Sequence, residues 1–420
     1  MLSGLTVRGR CLLAAGVAAA VCSLVLDERD LLRVSAFVTA LPLLAMLLAV
    51  RARHGLRTRR EVLPARVPVG GQADVRLHIT GSGGAALRSV PLGGLRLEDG
   101  VPHALGPRPQ FQVEHVRRSG ALLEYQISPQ LRGIHQIGPL RVRVGDPFGL
   151  AEYGHEVGER TRLVAVPKVV PLGGLPTGSG LGTGEDGSTR MRAGHGDDDT
   201  MVREYRHGDD IRRVHWKSTA KHDDLMVRVE ERPWHGGVTV LLDRRSAAHR
   251  GTGASSSLEW AVSAVASICA HLHAHDQRVR LVAEDGAALA GGPGPFDGGR
   301  DDAAMLDALA AVRPSAQRDL VCPQDPGSGQ ELIAVLGATS EAGVAELTRW
   351  RPERARSLAL LLDVPAWARE SADRSFDAGR TAERLRASGW SVVVVAGPKT
   401  SPTAAWGALC QASPPLGVSS

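Results

Sequence analysis

The chain has 420 residues and a formal charge of +5, and only four of its 50 basic residues are lysine (168, 217, 221 and 399). One hydrophobic core stops growing near about 250 residues, so this length implies at least two domains. An excess carried almost wholly by arginine, in a chain rich in alanine and glycine, reads as compositional bias more than as a nucleic-acid signal. No GxxxxGK[ST], HExxH or GxSxG string occurs, which removes the common nucleotide-loop, zinc-protease and serine-hydrolase signatures.

Two apolar runs open the chain, CLLAAGVAAAVCSLVL (11–26) and VSAFVTALPLLAMLLAV (34–50), separated by the polar DERDLLR. Each is a little short of the roughly 20 residues that span a bilayer. Arg8, Arg10 and Arg33 can lengthen them by snorkelling. Arg8 and Arg10 precede the first run, Arg51, Arg53, Arg57, Arg59 and Arg60 follow the second, and the connecting loop is net acidic. By the positive-inside rule both ends, and everything after Arg60, are cytoplasmic. Residues 1–60 are thus expected to form a transmembrane helical hairpin. A cleaved signal peptide fits less well: Val21 is wrong before a lipoprotein cysteine at Cys22, and the second run would still hold the remainder. Neither run has an ionisable residue near its centre, so no transport path is expected.

Residues 61–172 change to short alternating runs such as ADVRLHIT, FQVEHV, LLEYQIS and GPLRVRVGD, punctuated by Gly and Pro. This spacing predicts a small antiparallel β-sandwich with a core of Val, Leu and Ile. Its histidines (78, 103, 115, 135 and 155) are dispersed and read as strand or turn residues. Residues 173–200 form a Gly-rich linker. Gly182, Gly184 and Gly187 match GxGxxG, but no strand leads in, no apolar helix leads out, and Glu185 and Asp186 would repel a phosphate.

Residues 201–235 are the densest run of charge, with eight Arg or Lys between Arg203 and Arg232 against seven Asp or Glu. That balance argues against a phosphate reader, which needs a net excess of cations. Asp209 or Asp210 can cap a short helix running to about Ala220, and LMVRVEE reads as a strand. An isolated surface ion pair is worth only about 0–1 kcal/mol, so a cluster this dense is better explained as a partly buried network where two elements or two molecules meet.

The string REYRHGDDIRRVHWKSTAK followed by LMVR resembles the signature of the bacterial "domain of unknown function 58" family, and RGIHQIGPLRVRVGDPFGL (132–150) with LVAVPKVV (163–170) resembles its upstream hallmark. The resemblance runs over nearly the whole chain. It implies a membrane-anchored protein, often encoded beside a MoxR-type AAA ATPase and a transglutaminase-like membrane protein, with no established catalytic activity. The family's signature positions fall on Arg203, Tyr205, Gly208, Asp209, Arg212, His215, Trp216 and Arg228, read here as partner-binding or structural. Tyr205, Asp209 and His215 could do acid–base work. The segment, however, has no nucleophile beside a base and no metal-ligand spacing.

Residues 236–420 alternate strand and helix, and nearly continuous apolar strands such as SLALLLDV and WSVVVVAG predict a mostly parallel sheet covered on both faces. Ser256 and Glu259 form a capping box for the helix that follows. Ligand sites in such sheets lie at the carboxyl ends of the strands, where VTVLLD ends in Asp243. That position resembles the first aspartate of von Willebrand factor A domains, whose D-x-S-x-S string binds a divalent ion. Here it reads D-R-R-S-A, with Arg245 and Ala247 at the serine positions, so a degenerate metal site is expected in which Arg245 or Arg244 pairs with Asp243 in place of the ion. His271, His273 and His275 cannot converge on one ion from a helix, since i and i+2 point about 200° apart. The five cysteines (11, 22, 269, 322 and 410) show no CxxC and are expected to be free thiols.

The expected whole is α/β and β: a membrane hairpin, a β-sandwich and a von Willebrand-A-like α/β domain. The expected function is that of a non-enzymatic adaptor binding a MoxR-type AAA ATPase and other membrane proteins, in envelope assembly or stress response, with no nucleic acid and no small-molecule cofactor. Two alternatives differ in class. A divalent-metal-dependent ligand-binding or adhesion module requires an ion at Asp243, and a hydrolase requires His215 or Asp209 in turnover.

Overall fold

Small residues spaced by seven set the first contact of the chain. In helix α1 (Val7–Leu26) the buried residues are Gly9, Gly16 and Ser23, and a Cβ at Gly16 would lie 2.5 Å from Thr39 Oγ1 of helix α2 (Arg29–Ala52). Close approach through small residues is how helices pack where lipid offers no hydrophobic drive. The Thr6 hydroxyl caps α1 by accepting the Gly9 N–H (3.3 Å), and the helix stops at Asp27, which adopts the left-handed conformation (φ 53°). Both helices are long and apolar enough to cross a membrane, and only 17% of each apolar window is buried, unlike a globular core helix. Pro42 sits within α2 without ending it.

The structure, a computed structural model, describes residues 4–52, 56–81, 95–113, 120–146, 148–176, 201–204, 226–229, 237–291, 298–322, 326, 331–351, 356–368 and 376–412. These fall into two units, Met1–Lys168 and Val169–Ser420.

Among the described residues, the first unit continues with strands β1 (Leu56–Leu63), β2 (Arg66–Pro68), β3 (Ala73–Gly81), β4 (Leu95–Asp99), β5 (Gln110–Val113), β6 (Ala121–Ile127), β7 (Gly133–Ile137), β8 (Leu140–Gly145), β9 (Glu152–Val157) and β10 (Thr161–Val166). They form sheets in the orders β1-β3-β6, β2-β10-β7 and β5-β4-β8-β9. Alternation sets the buried face, as in β8, where Leu140, Val142 and Val144 point inward and Arg141 and Arg143 outward. The pairing is not wholly antiparallel as the sequence pattern suggests, because β2 runs parallel to β10. β1 and β2 are separated only by Pro64 and Ala65 yet belong to different sheets, so the short β2 meets its neighbour in the opposite sense to a hairpin partner.

Strand β1 begins at Leu56, so Arg57, Arg59 and Arg60 belong to it and Arg60 is no membrane-flanking cation. Its side chain is 3% exposed and pairs with the fully buried Asp99 through Nη2–Oδ1 (2.5 Å) and Nε–Oδ2 (3.1 Å). Its Nη1 donates to the carbonyls of Ile137 and Glu159. The Tyr125 hydroxyl donates to Asp99 Oδ2 (2.5 Å). Burial, and then the Asp99 charge, raise that phenol well above its ordinary range.

The second unit opens with a two-stranded antiparallel ladder of β11 (Met201–Glu204) and β12 (Met226–Val229). Its main sheet has the order β15-β14-β13-β16-β17-β18, from β13 (Gly237–Leu242), β14 (Arg278–Ala283), β15 (Ala288–Ala290), β16 (Glu331–Leu336), β17 (Ser357–Leu362) and β18 (Ser391–Val395). All neighbours are parallel except the short edge strand β15. Among the described residues, helices α3 (Ser257–His273), α4 (Gly298–Ala311), α5 (Glu341–Arg349), α6 (Ala378–Ala387) and α7 (Pro402–Ala412) accompany the sheet. The Ser256 hydroxyl caps α3 by accepting the Glu259 N–H (3.2 Å).

Successive strand residues feed opposite layers. Val240, Val335 and Leu360 pack with Val262 and Leu272 of α3, Leu309 of α4 and Trp406 of α7. Leu241, Ala334 and Leu361 pack with Leu347 of α5 and Leu385 of α6. Burial on both faces is why these strands read as unbroken apolar runs.

The residues leading into the expected linker, and Gly174 within it, are bound. Val170 N–H donates to Ser267 Oγ (3.0 Å), the Thr403 hydroxyl to the Pro171 carbonyl (3.0 Å), and both Trp406 Nε1 and His271 Nε2 contact the Gly174 carbonyl (3.1 and 2.8 Å). Residues 177–200 of that linker lie outside the described residues.

Candidate functional site

In an open parallel sheet the crevice forms where the strand order reverses, because neighbouring loops there lead to opposite faces. The reversal here lies between β13 and β16, the two strands that flank it at the carboxyl edge. Asp243 directly follows β13, donates its N–H to the Val335 carbonyl (3.0 Å) and accepts the Gly337 N–H at Oδ2 (3.1 Å). Its carboxylate is therefore fixed in the crevice, and it is fully buried.

Arg245, 2% exposed, fills the same space. Its Nε donates to Asp243 Oδ1 (2.9 Å) and its Nη2 to Oδ2 (2.7 Å), a fork-on-fork pair. Its backbone N–H adds a third bond to Oδ1 (3.1 Å). The remaining donors reach the carbonyls of Arg318 (2.9 Å) and Ala338 (3.0 Å). With Gly337, the Asp243 carboxylate accepts four hydrogen bonds, which uses all of its roughly four lone-pair sites. The divalent ion that a von Willebrand-type site implies does not fit here. Its carboxylate has no lone pair left, and Arg245 and Ala247 supply no hydroxyl.

Arg244 points elsewhere, pairing with Glu284 (Nε–Oε2, 3.1 Å) and Asp285 (Nη2–Oδ2, 3.1 Å). Buried His249 shares hydrogen bonds with the Asp243 carbonyl through Nε2 (2.8 Å) and with the Ser257 hydroxyl through Nδ1 (3.0 Å). A carbonyl can only accept, so Nε2 carries a proton, and in the neutral ring Nδ1 is the acceptor of the Ser257 hydroxyl. Burial holds its pKa below the ordinary histidine value, although the Asp243 charge opposes this. The Ser257 hydroxyl also accepts the Arg250 N–H (2.9 Å) and is fully buried. This serine–histidine pair ties residues 249 and 250 to the start of α3.

The three helix-end histidines do not converge. The rings of His271 and His275 lie 4.5 Å apart, while His273 contacts Asp302 on another side. No group of three or more His, Cys, Asp or Glu able to hold a metal occurs among the described residues.

Of the signature positions, Arg203 lies in β11 and Arg228 in β12, on adjacent rungs, opposite Val227 and Val202. Tyr205, Gly208, Asp209, Arg212, His215 and Trp216 lie outside the described residues, as does the expected helix between them. The structure thus brings Asp243 and Arg245 together and places Arg203 and Arg228 on adjacent rungs of the ladder, not opposite each other. Sequence reading missed His249, Ser257 and Glu284. An apolar strand ending in a carboxylate was the only signal near them. In the first unit a cavity of about 340 Å³ is lined by residues of both signs, among them Glu98, Arg108, Arg141 and Arg160, and favours no one ligand charge.

These features define a class: a pair of apolar helices joined to a β unit, and an α/β unit of three layers whose sheet-edge crevice is closed by its own ion pair. Residues 201–325 match the family described as "Protein of unknown function DUF58". None of the curated proteins matches the chain. Among solved structures, the CARDB domain of a Pyrococcus furiosus protein in complex with di-metal ions is 13% identical, with 27% of this chain and 86% of that chain covered and a TM-score of 0.18. Cwp6 from Clostridium difficile is 9% identical, with 81% of this chain and 37% of that chain covered and a TM-score of 0.13. At such scores neither likeness bears on the fold.

Proposed function

We propose that this chain is a membrane-anchored adaptor that works through protein–protein contacts and not through turnover, with a MoxR-type AAA ATPase as the partner that the family resemblance suggests, in envelope assembly or stress response. The observation that carries the non-catalytic reading is the saturation of Asp243 by Arg245: the crevice where a ligand or ion would act is filled by the chain itself. The strand order, with five parallel strands and an antiparallel edge, supports a von Willebrand-A-like assignment of the α/β unit. Two exposed apolar helices support the membrane hairpin, and Arg8, Arg10, Arg51 and Arg53 support a cytoplasmic location for the rest. The charged segment supplies the contact surface, its mixed signs suiting a protein partner better than a polyanion.

The test is binding of a purified MoxR-type ATPase to the full chain in lipid nanodiscs. Arg212→Glu and Trp216→Ala should each abolish capture while the hairpin stays inserted. Undiminished capture by both variants, or a hydrolytic turnover lost in His215→Ala, would overturn the reading.

A further inference from the structure

The turn after β8 carries the family-like string GDPFGL (145–150). Asp146, 5% exposed, organises it. Its carboxylate accepts the N–H groups of Phe148 (2.8 Å) and Ala151 (2.5 Å), its carbonyl accepts the Gly149 N–H (3.2 Å), and its own N–H donates to the Ala151 carbonyl (3.1 Å). The turn so held seats the start of α1. The Leu150 carbonyl accepts the Thr6 N–H (2.9 Å), the Gly149 carbonyl accepts the Thr6 hydroxyl (2.7 Å), and Leu5 bridges to Ala151. Gly9 comes so close that a Cβ there would lie 2.1 Å from the Leu150 carbonyl oxygen. Leu5, Leu150, Ala151 and Ala45 of α2 form one buried cluster.

These contacts fix the level of the turn along the helices. Gly9 lies between Arg8 and Arg10, which mark the polar flank of the first apolar run. Ala45 lies inside the second run, which continues to Val50, about 8 Å further along a helix rising 1.5 Å per residue. The turn therefore stands where polar flank gives way to apolar helix. At that level Phe148 is 61% exposed and Val7, the first residue of α1, 76%. An exposed aromatic ring at this height, carried on a turn whose backbone is held in place and continuous with two apolar helices, has an amphipathic boundary as its matching surroundings.

We infer that the turn held by Asp146, with Phe148, Gly149, Leu150 and Ala151, is a membrane-interface anchor, in which Phe148 enters the boundary between headgroups and acyl chains of the leaflet at which the hairpin begins and ends. The occupant of this surface is phospholipid. The inference rests on the reading of α1 and α2 as a membrane hairpin, and it adds that the β unit is held against the bilayer by its own turn.

The test places a nitroxide at Phe148→Cys in the full chain, in a Cys11→Ser, Cys22→Ser, Cys410→Ser background, since Cys269 and Cys322 are buried. Nanodiscs of phosphatidylcholine and phosphatidylglycerol supply the lipid, and collision with oxygen is compared with collision with a water-soluble nickel chelate. Val17→Cys (52% exposed, mid-α1) reports the hairpin, Leu122→Cys (52% exposed, β6) reports water, and Val7→Cys is a second interfacial reporter. The expected result is loss of chelate access at 148 and 7 towards the Val17 level. Chelate access at 148 equal to that at 122, with Val17 protected, overturns the anchor and leaves the hairpin standing. Free access at Val17 overturns both. Protection at 148 accompanied by label–label broadening that vanishes on dilution with unlabelled chain assigns the surface to a second copy and also overturns the anchor.

Discussion

Replacing Arg245 with methionine removes the guanidinium while keeping an unbranched apolar stem. Two charge-assisted bonds to Asp243 disappear, the carbonyls of Arg318 and Ala338 lose a donor, and a fully buried carboxylate keeps only two backbone N–H partners. Removing one partner of a buried ion pair costs about 3–5 kcal/mol, because the other charge remains uncompensated. For a unit of this size that corresponds to a fall in Tm of roughly 10 °C. The assay is guanidinium titration of the full chain in detergent micelles, followed by tryptophan fluorescence. All seven tryptophans lie beyond Lys168, so the signal reports the second unit. Adding Asp243→Asn should recover most of the loss, since a neutral amide needs no counter-charge. A cost below about 1 kcal/mol for Arg245→Met, or a double variant no more stable than the single one, would refute the view that this pair holds the crevice shut.

A saturated Asp243 also predicts that isothermal titration of the wild-type chain with Mg²⁺ or Mn²⁺ gives no stoichiometric heat; tight binding lost in Asp243→Ala would contradict this. Stability should respond to pH through two opposed groups. His249 titrates below its ordinary value of 6.5, so the unfolded chain takes up a proton first, and stability falls as pH drops below about 6.5 towards the lowered native value. Glu331, raised by burial to about 8 although Arg356 opposes it, favours the fold below about 4.5 and loses that contribution as pH rises to about 8. Glu331→Gln should therefore flatten the alkaline limb, and His249→Gln the acid one, in denaturation measured across pH 4–9. In the first unit, Arg60→Met should cost about 3–5 kcal/mol by the same uncompensated-charge argument, read as faster hydrogen exchange in peptides covering β1 and β4, and Asp99→Asn in the same chain should restore part of it.

The layered α/β unit was legible because its strands are apolar on both faces and its helices begin at serine caps such as Ser256. The edge strand β15 was not, since three residues of Ala-Leu-Ala carry no period. In the first unit, alternation located most strands, but the parallel placement of β2 depends on pairing across a hundred residues, which no local pattern encodes. Arg60 shows the same limit at one residue. Within a run of arginines after an apolar stretch it reads as a membrane flank, and only Asp99, three strands on at the end of β4, turns it inward. The string D-R-R-S-A located the crevice and suggested a cation there, but it could not choose between Arg244 and Arg245. Geometry makes that choice, because β14 delivers Glu284 to Arg244 and leaves Arg245 for Asp243.

A guanidinium tethered two residues from its carboxylate differs from a dissolved ion in one further respect. It is made with the chain and cannot be chelated, so completion of this corner is simultaneous with folding and insensitive to the supply of inorganic cofactors in the cell.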